Sequence, residues 1–215
     1  MANKKNKTNF LCSECGDDFP KWNGQCPSCK EWGTLSEFKV IGKKRASRNE
    51  YRGYKQLNDI LKEKPGDRIS TSITETDRVL GGGLLPGSLL LLGGNPGVGK
   101  STLALHICSG IKKPVLYISA EESEEQVAIR ANRLNILSED LHLSSENELE
   151  GIFKHIDRIS PSLVIIDSIQ TIVNSDLDSL PGSPSQIRDC GQKFLEISKQ
   201  KNVIIIIIGH VTKEG

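Results

Sequence analysis

An α/β fold, with a parallel sheet flanked by helices and a small separate module in front, is what three features of this 215-residue sequence predict. Apolar runs of strand length recur at Leu89–Leu92, Val115–Ser119, Leu163–Ile166 and Val203–Ile208, each too unbroken for a strand with one wet face. A glycine-rich loop and a helix start follow the first of these runs. Four of the six cysteines, and half of the ten aromatic side chains, fall in the first 38 residues.

The cysteines come first in the chain. "CSECGDDFPKWNGQCPSC" sets Cys12 and Cys15, then Cys26 and Cys29, in two CxxC pairs with ten residues between them. Two such knuckles aim four thiolates at one point, the shell of a structural zinc ion, and leave it no open position for chemistry. Gly16, Asn23 and Gly24 supply the turns. So short a segment cannot fold on apolar burial alone, and metal binding is expected to supply most of its folding free energy. A pair of disulfides or a dithiol redox site are the alternatives; a reducing compartment disfavours the first, and one redox pair needs no second. Trp22 and Trp32 are read as packing of this zinc-ribbon-like module rather than as exposed contacts. Cys108 and Cys190 stand alone and read as small buried residues on helices.

Charge divides the chain. Residues 1–66 carry 14 basic and 8 acidic side chains (net +6), the remainder 14 and 19 (net −5). Lys43, Lys44, Arg45 and Arg48 form a dense basic cluster in "KVIGKKRASRN", which suits either a solvated linker or contacts to a phosphate backbone. The expected organisation is a cysteine module over 1–38, a basic linker over 39–66 and an α/β core over 67–215. No run approaches the ~20 apolar residues of a membrane span. "MANKKNKTNF" has lysines with no apolar region behind them, so no secretory or organellar leader is expected and the reading is cytoplasmic.

In the core, "LLLLGGNPGVGKSTLALHI" runs from a strand, expected to be buried, through Gly94–Ser101 into a helix with Ala104, Ile107, Cys108 and Ile111 on one face. The spacing GxxxxGK[ST] in this context is a nucleotide-phosphate loop. Backbone N–H groups across Gly94, Asn95, Pro96, Gly97, Val98, Gly99, Lys100, Ser101 and Thr102 would wrap the phosphates of ATP, with glycine permitting the curvature. Lys100 would face the β- and γ-phosphates, and Ser101 would take a place on Mg²⁺. A second acid is needed on the magnesium side. Asp167, closing the strand Leu163–Ile166, supplies it, because ligands gather outside the carboxyl ends of parallel strands.

Beyond the strand Val115–Ser119 lies Glu121, placed to orient or deprotonate an attacking water. Glu122, Glu124 and Glu125 are read instead as favourable charge at a helix start, where Ser123 and Gln126 form a capping box. A later helix opens on Ser183 as cap, Pro184 in the first turn and Gln186 closing the box, with Ile187, Cys190, Phe194 and Ile197 along one buried face. The stretch "NSDLDSLPGSP" before it reads as a mobile loop. Val203–Ile208 is expected to be a strand adjacent to that of Asp167, followed by His210 facing the nucleotide.

Taken together, "RISTSITETDRVLGGGLLPGSLLLLGGNPGVGKST", the four-cysteine module and "GHVTKEG" resemble the RecA-like ATPases and, among them, the RadA/Sms family of bacterial DNA recombination and repair ATPases. The resemblance covers Cys12 to Gly215. It implies a RecA-like core, and a hexameric motor in the full-length protein that works on single-stranded and branched DNA together with RecA. It matches Lys100 and Ser101 to the phosphate-loop pair, Asp167 to the magnesium-side acid, Glu121 to the catalytic glutamate and His210 to a γ-phosphate sensor, and puts Arg188 in a DNA-facing region. Family members continue past "GHVTKEG" with more sheet and a further domain. The core is therefore expected to be truncated, with residues 203–208 partly exposed and prone to aggregation. Two other readings stand beside this one: a nucleotide-dependent scaffold that does not hydrolyse ATP, and a RecA-like signalling ATPase of the circadian-clock type, which leaves the cysteines without a reason.

Overall fold

The computed structural model describes residues 8–39, 54, 56–62, 67–177 and 179–210. The chain divides into two compact units, Met1–Pro65 and Gly66–Gly215.

In the first unit, β1 (Thr8–Cys12) is the middle strand of a small antiparallel sheet, between β2 (Asp18–Phe19) and β3 (Leu35–Lys39). Its core is built around sulfur: Cys12, Cys26 and Leu35 are buried, with Phe10, Phe19, Cys15 and Cys29 packed against them. The two tryptophans are outside it. Trp22 is 59% and Trp32 74% exposed, which corrects the expectation that they pack the module. They flank Gly24, where a β-carbon would stand 3.5 Å from one indole and 3.8 Å from the other. A short helix, α1 (Leu57–Lys62), follows. The cluster Lys43, Lys44, Arg45 and Arg48 lies outside the described residues.

The second unit holds a five-stranded sheet with all neighbours parallel, in the order β4 (Leu89–Gly94), β8 (Ile204–His210), β7 (Leu163–Asp167), β5 (Val115–Ser119), β6 (Leu141–Ser144). Alternate side chains serve two cores, as strand geometry requires. Tyr117, Ile165, Ile204, Ile206 and Ile208 point to the layer of α3 (Lys100–Gly110) and α4 (Glu124–Arg133). Leu116, Ile118, Val164, Ile166, Ile205 and Ile207 meet α5 (Leu149–Ile159) and α6 (Pro184–Lys201) on the other face. The isoleucine run is thus a central strand buried on both sides, and Val203–Ile208 are all at most 4% exposed. This corrects the expectation of exposure there: β8 sits between β4 and β7 with a helical layer over each face.

The strand at the β8 edge of the sheet, β4, is exposed. Among the described residues it pairs only with β8, its burial is intermittent and Leu91 is 70% exposed, so Leu89–Leu92 is an edge strand rather than the buried one expected. Before it, α2 (Thr74–Val79) is tied down by Asp77, which accepts hydrogen bonds from the Ser70 hydroxyl (2.6 Å), the Thr71 hydroxyl (2.7 Å) and the Thr71 amide (2.9 Å). Gly83, at φ +123°, allows the following turn to close: a β-carbon there would fall 2.6 Å from the Ile69 carbonyl oxygen.

The capping box of α4 is present in both directions, Ser123 Oγ accepting from the Gln126 amide and Gln126 Oε1 from the Ser123 amide. At α6, Ser183 accepts from the Gln186 amide and Pro184 occupies the first turn. The Gln186 side chain does not close the box. It is buried and pairs with both backbone groups of Asn174, at 2.9 and 3.2 Å, and with the Ser179 carbonyl at 3.0 Å. Asn174 Nδ2 also donates to Asp189 at 2.7 Å. The loop expected to be mobile is therefore clipped to α6 by a buried amide, whose own polar groups would otherwise lack partners. Among the described residues no helix is long and apolar enough to cross a membrane.

Candidate functional sites

Four strands end at one place. β4 runs into the glycine loop, β5 into Glu121, β7 into Asp167 and Ser168, and β8 into Gly209 and His210. The ladder fixes their relative heights, with Gly94 opposite His210 and Ser119 opposite Asp167. This crevice at the carboxyl ends is where parallel sheets hold ligands.

Residues 95–99 are exposed, and Gly97 (φ +77°) and Gly99 (φ +93°) take left-handed conformations that favour glycine. A β-carbon at either would meet no atom within 4 Å, so there is open space beside both glycines. Gly99 caps α3, whose first turn contains no acidic residue. Its unpaired N–H groups and the helix dipole favour an anion there. Ser101 and Thr102 belong to that first turn.

Lys100 is only 7% exposed, and its ammonium is held at the mouth of the loop. It donates to the carbonyls of Gly94 (2.8 Å) and Asn95 (2.9 Å), and lies 3.2 Å from His210 Nδ1. His210 Nε2 in turn stands 3.9 Å from Glu121 Oε1. Lys100, His210 and Glu121, far apart in sequence, therefore form one polar chain across the crevice. Glu122 is elsewhere, paired with Arg130 at 2.9 Å; Glu124 caps the Ser145 amide and hydroxyl. Of these acids, Glu121 is the one that stands beside His210. Arg188 is exposed on the first turns of α6.

Two residues that sequence reasoning missed complete the crevice. Tyr117 donates its hydroxyl to Asp167 Oδ2 at 2.5 Å, and Ser168 donates to Glu121 Oε1 at 2.5 Å. Both are buried without measurable exposure, beside an Asp167 that is 9% exposed. Burial, and then the Asp167 carboxylate alongside, raise the pKa of the Tyr117 hydroxyl, so it stays a donor. The signal for Tyr117 is a phenol set among Val115, Leu116 and Ile118 in a buried strand; for Ser168 it is only adjacency to Asp167.

The second site is the cysteine cluster. All four sulfurs lie within 4.8 Å of one another, with Cys12 and Cys29 3.7 Å apart and Cys15 and Cys26 3.6 Å apart. Four sulfurs about 2.3 Å from one zinc ion stand about 3.8 Å apart in a tetrahedron, so the donor set fits that ion. The two knuckles repeat one geometry: the Cys12 carbonyl accepts from the Gly16 amide (3.0 Å), and the Cys26 carbonyl from the Lys30 amide (2.9 Å). Burial opposes ionisation at Cys12, but the Cys15 and Glu14 amides and the Thr34 hydroxyl bring its thiol down to about 6. Burial, with the other three sulfurs around it, pushes Cys15 up to about 12. Four thiols so close cannot all ionise without a cation among them. Cys108 and Cys190 are fully buried, and burial pushes them up to about 12 and about 11, which marks them as inert.

A family model described as an AAA domain matches residues 58–215, and one described as a rubredoxin metal binding domain matches residues 10–37. Bacterial proteins named DNA repair protein RadA are similar over nearly the whole chain. The one from Halalkalibacterium halodurans is 45% identical over 219 residues, covering 98% of this chain and 48% of that protein. Those of Bacillus subtilis (44%, 98% and 48%) and Escherichia coli (42%, 99% and 48%) are alike. The chain thus spans about half the length of these relatives. Among solved structures, a KaiC-like protein from Pyrococcus horikoshii superimposes with a TM-score of 0.58 at 20% identity, over 68% of this chain and 73% of that one, a likeness of fold alone. On the match to its core and the similarity that runs from end to end, the chain belongs to the AAA domain family, in the branch represented by the bacterial RadA proteins.

Proposed function

We propose that this chain is the ATP-hydrolysing portion of a cytoplasmic DNA recombination and repair protein that binds Mg²⁺ and ATP at the crevice and Zn²⁺ at the cysteines. The observation that carries the reading is the chain of Lys100, His210 and Glu121 beside an open glycine loop, with Asp167 ending the strand next to that of His210. Residues Gly94–Thr102 would hold the triphosphate, and Ser101 and Asp167 the magnesium ion. Bound there, the metal would neutralise the developing charge on the phosphates. Lys100, now satisfied by two loop carbonyls, is the positive charge available to an incoming phosphate. Glu121 has an oxygen fixed by Ser168 and serves as the base or orienter of water. His210 links Glu121 to Lys100 and is positioned to register what occupies the loop.

Zinc at Cys12, Cys15, Cys26 and Cys29 would have no open coordination position and serves structure. The division into a zinc module (1–38), a basic linker (39–66) and a RecA-like core (67–215) belongs to the same proposal. So do single-stranded and branched DNA as partners, assembly into a hexamer when full length, and work alongside RecA, all of which rest on the resemblance to RadA.

Phosphate release from ATP, measured with and without single-stranded DNA, tests the reading. The expected result is turnover that DNA stimulates and that Glu121→Gln lowers by about a hundredfold or more while nucleotide still binds. Turnover unchanged by Glu121→Gln would remove Glu121 from the chemistry, and tight nucleotide binding without any turnover would move the chain to the scaffold reading.

A further inference from the structure

The two carboxylates of the crevice are not merely near one another; each is gripped by a hydroxyl from the other's strand. Tyr117, on β5, donates to Asp167, which ends β7. Ser168, just past β7, donates to Glu121, just past β5. The two strands are neighbours in register, Ser119 opposite Asp167, and the pairing runs one step further through the Ala120 amide to the Asp167 carbonyl at 3.1 Å. Ser168 is held in turn: its carbonyl accepts from the Thr171 hydroxyl at 2.8 Å in the 3-10 turn Ile169–Thr171. Neither hydroxyl reaches water, so neither has an alternative partner in solvent to exchange for its carboxylate.

From this geometry we propose that Tyr117 and Ser168 are positioning residues, a reciprocal brace that presets the two acids before nucleotide arrives. The proposal rests on the ATPase reading above. Each hydrogen bond uses one carboxylate oxygen, Oδ2 of Asp167 and Oε1 of Glu121, and among the described residues no hydrogen bond occupies the other. A carboxylate fixed at one oxygen keeps its second in a set direction, which for Asp167 would serve the magnesium ion and for Glu121 the attacking water. Preorganised groups of this kind need no rearrangement when charge develops. The two halves of the brace act on different quantities, which separates them experimentally. Tyr117 bears on magnesium, Ser168 on turnover.

The test uses the chain itself with a fluorescent ATP analogue, magnesium titrations and steady-state hydrolysis. Tyr117→Phe should raise the Mg²⁺ concentration needed for half-maximal nucleotide binding by about tenfold or more, the scale of one lost hydrogen bond to a charged group, and leave binding in excess chelator unchanged. Ser168→Ala should lower kcat by about tenfold or more, with KM for ATP and the magnesium requirement unaltered. Added to Glu121→Gln it should cost less than about twofold, because residues acting through one group are not additive. Ser168→Cys, with a weak donor of similar size, should fall between the two. Thermal unfolding of each variant identifies any that fail to fold. Folded variants with unmodified magnesium dependence and kcat would overturn the brace and leave the ATPase reading standing. An unmodified chain with no magnesium-dependent nucleotide binding would overturn both.

Discussion

Replacing Lys100 by alanine should separate binding from stability, because the ammonium serves different partners with and without ligand. Without ligand it satisfies the Gly94 and Asn95 carbonyls and faces His210. Asn95 is exposed and Gly94, at the end of β4, is half-buried, so water replaces the lost donor, and alanine is well suited to the first turn of α3. The cost to folding is then under about 1 kcal/mol, a fall of about 2–4 °C or less in Tm for a domain of this size. If Lys100 faces the phosphates as proposed, the lost charge would contribute about 2–4 kcal/mol to nucleotide binding. At 1.36 kcal/mol per tenfold, affinity falls about 30- to 900-fold. Equilibrium titration with a fluorescent ATP analogue and a thermal melt of the same samples give both numbers. Affinity within threefold of the unmodified chain would refute the placement of Lys100 on the phosphates. A loss of more than about 10 °C in Tm would refute the argument that the loop is solvated enough to do without it.

Other outcomes follow from the same structure. Chain purified without added zinc should contain about one equivalent, and its removal by chelator should shift the fluorescence of Trp22 and Trp32, the only tryptophans present; less than a tenth of an equivalent on reduced protein would contradict the site. Two glycines of the core helices should respond oppositely to alanine in denaturant unfolding. Gly110→Ala would place a β-carbon 2.1 Å from the Thr71 carbonyl oxygen and should destabilise by about 2 kcal/mol or more. Gly191→Ala meets nothing within 4 Å inside α6 and should stabilise by about 0.5–1 kcal/mol. Changing Lys43, Lys44, Arg45 and Arg48 to alanine should lower the salt slope of single-stranded DNA binding by up to about 0.7 per lost phosphate contact; an identical slope would make the cluster a linker.

What was legible in the sequence is what local chemistry determines. The glycine loop, the caps Ser123 and Ser183, and the strands Val115–Ser119 and Leu163–Asp167 each depend on residues within one or two turns of each other. Aromatic side chains normally fill a small core, but the tryptophans stand outside this one because the interior is already taken by Cys12, Cys26, Leu35 and the two phenylalanines packed on them. Gln186 fits a capping pattern by spacing, and only the return of the chain at Asn174 offers its amide a better partner. Tyr117 could not be assigned to Asp167 without the register that sets β5 beside β7.

Strand order is the least local property of this fold. Leu89–Leu92 and Val203–Ile208 look alike as apolar runs, yet one is an edge and the other central. Apolar length alone does not encode that difference, because the last described strand is inserted between the first and the fourth strands of its sheet in chain order. The choice of five consecutive isoleucines is still informative: a strand flanked on both edges and covered on both faces needs β-branched side chains on both sides, while β4, with one unpaired edge among the described residues, tolerates leucines and an exposed Leu91. That insertion is also what makes the site. Because β8 lies directly against β4, its terminal His210 arrives opposite Gly94 and within 3.2 Å of a lysine 110 residues earlier in the chain; had β8 been added at the outer edge of the sheet beyond β6, Lys100 and Glu121 would have no group between them. The crevice therefore depends on a topological fact, and a substitution that disturbs the β4–β8 pairing should impair nucleotide binding even where every crevice side chain is intact.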